Sequence, residues 1–136
     1  MRTYKLGVWK SNTRISDQDA AGCYLKLSDG SLTSKFAPEV HAFYSRLTAR
    51  HPEVEMVDED ELDSCPWACA IELSDGHVLL EIMPDKVGSV AQLILSLADE
   101  HGLVCFDPQG ATVYLPLCLK AAADLSVSTP KRPKAA

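Results

Sequence analysis

Cysteine, histidine and carboxylate are the side chains here that can do chemistry, and their spacing narrows what that chemistry is. Cys65-Pro-Trp-Ala-Cys69 places three residues between two thiols, whereas redox pairs generally use two. A zinc site needs two further ligands, and no Cys or His pair at finger spacing follows. His77 is the nearest histidine, and the hairpin predicted below puts it at the turn end, away from Cys69 on the core face. Two buried or half-buried thiols are the expected state, with no metal and no cofactor. His41, His51, His77 and His101 are scattered. None forms an H-E-x-x-H pair, and Ser, His and Asp make no recognisable nucleophile motif. Gly30-Ser31 and Gly88-Ser89 are isolated and precede no P-loop lysine. No catalytic residue is assigned, and the chain reads as a protein that is not an enzyme.

Carboxylates are the remaining candidates. Glu72 and Glu81 are predicted on one sheet face as diagonal neighbours on adjacent strands, and Asp107 ends a central strand. Together they could serve a small enzyme or ligand-binding domain, or they form a wet sheet face and a turn-making Asx residue. More distinctive is the run Glu53-Val-Glu-Met-Val-Asp-Glu-Asp-Glu-Leu-Asp63, which holds seven acids and no base. Most such runs are solvated loops. This one also carries Val54, Met56, Val57 and Leu62 and leads directly to Trp67, a residue type enriched in interface hot spots. Glu53, Glu55, Asp58, Glu59, Asp60, Glu61, Asp63 and Trp67 are therefore the candidate partner-binding residues, suited to docking on a basic protein. Trp67 has a second reading, as a core plug beneath the loop.

Charge along the chain supports that partner class. The 136 residues carry a net charge of −6, which opposes general nucleic-acid binding. Residues 1–50 hold eight basic and four acidic side chains (+4), residues 51–125 hold two and fifteen (−13), and the last eleven add three bases. The acidic field repels nucleic acid and anionic membrane and attracts a basic protein surface. The first ten residues have no uninterrupted apolar stretch, so no signal peptide is expected. The most apolar region, 87–98, falls short of the roughly 20 residues of a membrane helix. Cys23, Cys65, Cys69, Cys105 and Cys118 are then expected as reduced thiols of a cytoplasmic protein.

The elements that must position these groups follow from periodicity. Tyr4, Leu6 and Val8 alternate in a first strand over 3–9. Ser16, with Asp19 three residues on and Ile15 before it, starts a helix that stops at Asp29-Gly30. Pro38 opens a second helix with Val40, Phe43, Tyr44 and Leu47 on one face. Asp75-Gly76 between apolar runs predicts a hairpin pairing Leu73 with Val78, Ile71 with Leu80 and Cys69 with Ile82. Asp85 caps a third, broadly apolar helix that ends at His101-Gly102. Leu103 to Phe106 is a buried strand, Asp107-Pro-Gln-Gly110 a type I turn, and Thr112 to Leu117 a final edge strand. The prediction is an α+β two-layer sandwich of order β-α-α-β-β-α-β-β, with helices on one face of a mixed or antiparallel sheet. It resembles a ferredoxin-like arrangement with an added helix and strand. Residues 1–125 form the domain, and 126–136, with the basic Pro130-Lys-Arg-Pro-Lys134, are expected to be a disordered, solvated tail.

Two segments carry a family resemblance. Cys65-Pro-Trp-Ala68 and Leu97-Ala-Asp-Glu-His-Gly-Leu-Val-Cys-Phe-Asp-Pro-Gln109 resemble elements of a group of small, mostly uncharacterised bacterial proteins. That group shares Pro-Trp-Ala after an acidic loop and a late His-Gly-Leu-Val-x-x-Asp-Pro-Gln element. The resemblance covers about residues 38–116, with Cys65 standing where an acidic residue or Ser is common. It implies no catalytic residues. It implies a bacterial immunity protein that neutralises a secreted toxin effector by direct binding. A third possibility is a subunit that dimerises through an exposed edge strand.

Overall fold

The structure is a computed structural model and describes residues 3–119. The first strand, β1 (Tyr4–Lys10), is followed by two helices, α1 (Asp17–Ser28) and α2 (Pro38–Arg50). A segment with two short 3-10 turns leads to the hairpin β2 (Glu72–Leu73) and β3 (His77–Ile82). Helix α3 (Val87–Glu100) and strands β4 (Leu103–Asp107) and β5 (Thr112–Tyr114) follow, and the described chain ends in helical residues 117–119. The predicted tail 126–136 lies outside the described residues.

The α+β class is as expected. Five strands form one antiparallel sheet in the order β2-β3-β1-β4-β5. The first four follow the ferredoxin-like order, in which two split β-α-β units interleave around a central β1. Strand β1 is paired on both sides, so its Leu6 and Val8 look into the main core with Val78, Leu80 and Ile82 of β3. Helices α2 and α3 cover that face with Val40, Phe43 and Leu47 and with Val90, Ile94 and Leu97.

Helix α1 departs from the expected one-sided packing and covers part of the opposite face. Alternation in β1 and β4 sends Trp9, Val104 and Phe106 to that side, where they cluster with Ala20 and Leu27 of α1. Such an apolar patch needs its own cover. Tyr24 of α1 lies over Gly7, where a Cβ would stand 2.7 Å from the Tyr24 Cδ1. The helix start is as the sequence predicts: the Ser16 hydroxyl accepts the Asp19 N–H at 3.1 Å. At α3 the predicted cap is displaced. Pro84–Lys86 forms a 3-10 turn, and Lys86, not Asp85, occupies the N-cap position.

The hairpin has the predicted register at Leu73↔Val78, and the Ser74 N–H donates to the His77 carbonyl at 2.9 Å. Gly76 serves space rather than a left-handed conformation: a Cβ there would lie 2.0 Å from the Lys35 carbonyl oxygen. Further out the register changes. Trp67, not Cys69, bridges to Ile82, so residues 68–70 contain an excess over β3 and bulge outward. Cys69 is exposed as a result, against the expected core position, while Cys65 is buried. The last strand is shorter than predicted but does sit at the edge.

The Asp-Pro-Gln segment completes the sheet by side chain. Continuing the β1–β4 register places Lys5 opposite Pro108, which has no N–H to donate. Gln109 supplies both missing bonds. Its Oε1 accepts from the Lys5 N–H at 2.7 Å and its Nε2 donates to the Lys5 carbonyl at 2.8 Å. Asp107 holds the amide in place, its Oδ1 accepting Gln109 Nε2 at 2.6 Å and the Gln109 and Gly110 N–H groups at 2.9 and 3.2 Å. Its other oxygen accepts the Tyr4 hydroxyl. Burial raises the Asp107 pKa, but these donors prevail and hold it below the usual carboxylate value. Replacing Gln109 by Ala should lower stability by about 1 kcal/mol in urea unfolding. Gln109→Glu should not restore it, because a carboxylate cannot donate to the Lys5 carbonyl.

Candidate functional site

The acidic segment is tied down at both ends. Trp67 is 2% exposed, and its indole N–H donates to the His51 carbonyl at 2.8 Å, joining the segment's end to the close of α2. The Ala68 N–H donates to the Glu81 carbonyl at 2.8 Å, and the Met83 N–H to the Pro66 carbonyl at 2.7 Å. Glu53 reaches back across this junction. Its Oε1 accepts the Ile71 N–H at 2.9 Å, and its other oxygen accepts the Tyr44 hydroxyl.

Two of the eight candidate residues therefore have internal work. Trp67 is the core plug and offers no contact surface, because its ring fills the space between α2 and β3. Glu53 is half-buried and satisfies backbone at the bulge. Glu55, Asp58, Glu59, Asp60, Glu61 and Asp63 are exposed, on or beside the turns Val54–Met56 and Glu59–Ser64. Among the described residues none of them has a salt-bridge partner. Met56 and Leu62 stand among them, 76% and 43% exposed. These two, and not Trp67, are the apolar side chains that the segment leaves exposed.

The second carboxylate set is divided by the sheet. Glu72 and Glu81 share the α1 side, lining a shallow open groove of about 180 Å³ with Lys5, Tyr24 and Cys69. Glu81 there accepts from the Thr3 hydroxyl at 2.5 Å, and the Cys69 thiol stands 3.6 Å from its other oxygen. Burial and Glu81 push the Cys69 thiol pKa up. Asp107 faces the opposite side, occupied by Tyr4 and Gln109. No group of three or more His, Cys, Asp or Glu among the described residues could hold a metal ion.

One arrangement escaped the sequence reading. The segment between α1 and α2 straps across the hairpin turn, with the Ala37 N–H donating to the Asp75 carbonyl at 2.9 Å. Beneath it the Ser34 hydroxyl lies 2.8 Å from His77 Nδ1 and accepts the Gly76 N–H at 2.9 Å. His77 is 4% exposed, and its Nε2 has no hydrogen-bond partner among the described residues, with Glu72 Oε2 at 4.0 Å. Burial lowers the His77 pKa while Glu72 opposes that shift. These groups line an open cleft of about 370 Å³ together with Leu27, Leu32, Ser74 and Asp75. Ser34 and His77 are 43 positions apart, so no local motif could announce them. The one available signal was His77 beside a turn glycine.

The chain matches no family model, no curated protein and no solved structure. No described helix is long and apolar enough to cross a membrane.

Two expectations separate internal from surface acids. Glu53→Ala should cost about 1.5–3 kcal/mol, the range for hydrogen bonds to a charged group, while Glu59→Ala should stay within about 0.5 kcal/mol of the parent in chemical denaturation. The tyrosines add a pH dependence. Hydrogen bonds to Glu53 and Asp107 raise the Tyr44 and Tyr4 pKa values from 10.0 to about 12. The fold thus favours the protonated phenols, a contribution intact below pH 10 and lost as pH rises toward about 12. Urea midpoints should fall over that window, and Tyr44→Phe should fall less steeply there than the parent.

Proposed function

We propose that the protein binds a basic protein surface through segment 55–63 and acts there as a stoichiometric inhibitor, with no chemical step at that surface. The observation that carries this reading is the unneutralised set of exposed carboxylates, Glu55, Asp58, Glu59, Asp60, Glu61 and Asp63, on a segment anchored at both ends. Like charges held so close cost the fold some self-repulsion, and a cationic partner relieves it. Met56 and Leu62 supply apolar contact inside the acidic field, the combination that gives an interface both steering and a desolvated centre. The resemblance of the Pro-Trp-Ala and His-Gly-Leu-Val-x-x-Asp-Pro-Gln elements points to a bacterial immunity protein, with a secreted toxin effector as the basic partner.

A second reading, a small enzyme or ligand-binding domain using the sheet-face carboxylates Glu72, Glu81 and Asp107, is left with Glu72 beside His77 in the hairpin cleft.

Co-expression and pull-down with a toxin-like protein encoded beside this chain's gene tests the proposal. Reversing Asp58, Glu59, Asp60 and Glu61 to Lys should slow association at least about tenfold and flatten its salt dependence, with the melting temperature little changed. Unaltered affinity and salt dependence would place the interface elsewhere.

A further inference from the structure

We propose that Ser34 is a reactive nucleophile, with His77 as its general base and Glu72 as the positioning residue that sets the imidazole tautomer. The cleft around them takes uncharged or cationic carboxylic esters. This activity is separate from the protein-binding surface and uses none of residues 55–63.

Electrostatics orders the three groups. Glu72 Oε2 is the charged atom nearest His77 Nε2, at 4.0 Å, so the ring proton is more stable on Nε2 than on Nδ1. Nδ1 then presents a lone pair to the Ser34 hydroxyl, 2.8 Å away, and accepts its proton. The Gly76 N–H donates to the same oxygen at 2.9 Å and so fixes the hydroxyl in place against Nδ1. The Ser34 side of the site is held by backbone: the strap passes so close over Gly76 that no other residue fits without displacing the Lys35 carbonyl. The ring is used in the reverse sense to the serine protease triad, where Nε2 faces the serine and Nδ1 the carboxylate, so the two nitrogens exchange tasks. Glu72 is exposed, so closing the last ångström to Nε2 needs only a side-chain movement, and such bonds are often long before substrate binds.

The cleft selects its ligand by charge and shape. Glu72 and Asp75 repel anions, while Leu27 and Leu32 offer apolar contact to an acyl chain. In the reaction a bond forms from Ser34 Oγ to the ester carbonyl carbon and the bond to the leaving alcohol breaks. The Oγ proton passes to His77 Nδ1 and on to the departing oxygen. Water then attacks the acyl-serine with His77 again as base, releasing the acid and restoring the hydroxyl.

An alkyl fluorophosphonate applied to the full chain tests this directly, since the Oγ–P bond forms as fluoride leaves. Intact mass and peptide mapping should show one adduct, on Ser34. Ser34→Ala should take none. Glu72→Gln, a change at an exposed side chain, should label at least about tenfold more slowly and should lose the single Nε2–H tautomer in the His77 ring ¹⁵N spectrum. Charge reversal at residues 58–61 should leave labelling unchanged, which keeps this result independent of the docking surface. Circular dichroism checks that each variant is folded, and labelling of the parent protein decides the matter even if Ser34→Ala unfolds. No adduct on Ser34 of the folded parent, adducts spread over exposed serines, or an unchanged rate in Glu72→Gln would each overturn the proposal.

Discussion

The burial of Trp67 governs the shape of the acidic half of this protein. An indole is a large apolar body with one obligatory donor, and both requirements are met in one place. The ring lies in the core beside Ile82, and its N–H reaches the His51 carbonyl. That carbonyl belongs to the C-cap residue of α2, one of the orphan acceptors every helix end leaves. A single hydrogen bond thus satisfies a helix-end carbonyl and a buried side chain and closes the intervening loop. The cost falls on the hairpin. With Trp67 opposite Ile82, the residues up to Ile71 cannot all stay in register, and Cys69 is expelled with its neighbours. Glu53 then caps the Ile71 N–H, which the bulge would otherwise leave without a strand partner.

Closure at both ends bears on the binding proposed for this segment. A free acidic loop would lose conformational entropy when it docks, and that loss subtracts from affinity. Here the ends are fixed by Trp67 and Glu53, and the middle is shortened by two 3-10 turns. The acids in the first turn of each segment also lie at the end where unpaired N–H groups favour negative charge. The carboxylates are therefore displayed on a partly ordered surface, with Met56 and Leu62 left outside the core.

Local pattern revealed most of the fold and little of the cleft. The helical period of Val40, Phe43 and Leu47, the Ser16 cap and the pairing of Leu73 with Val78 each depend on neighbours within a few residues, and each is found in the structure. The register failed farther from the turn because a turn constrains only the pairs nearest to it; a long-range demand, the indole's, took over beyond Ile71. Trp67 was ambiguous because core and interface want the same residue type. Asp107-Pro-Gln was legible as a turn, but not as a side-chain substitute for strand pairing, which needs the β1–β4 register to be known. The meeting of Ser34 with His77 was invisible for a related reason. It joins the strap to a strand and depends on Lys35 passing over Gly76.

The distribution of the chain's own bases is the last point that bears on function. Eight basic residues precede position 51, enough to neutralise the acidic segment had the fold brought them there. Instead Lys10 pairs with Glu39 and Arg46 with Glu100, and no base reaches residues 55–63 among those described. Stability gives little reason for either choice, since an exposed pair contributes about 0–1 kcal/mol. The difference is in the field. Scattered pairs cancel within a Debye length of roughly 8 Å, whereas an unpaired cluster projects beyond it and raises the encounter rate with a cationic surface. A fold that leaves its acids together and uses its bases elsewhere keeps that field intact, at the cost of the self-repulsion within the segment.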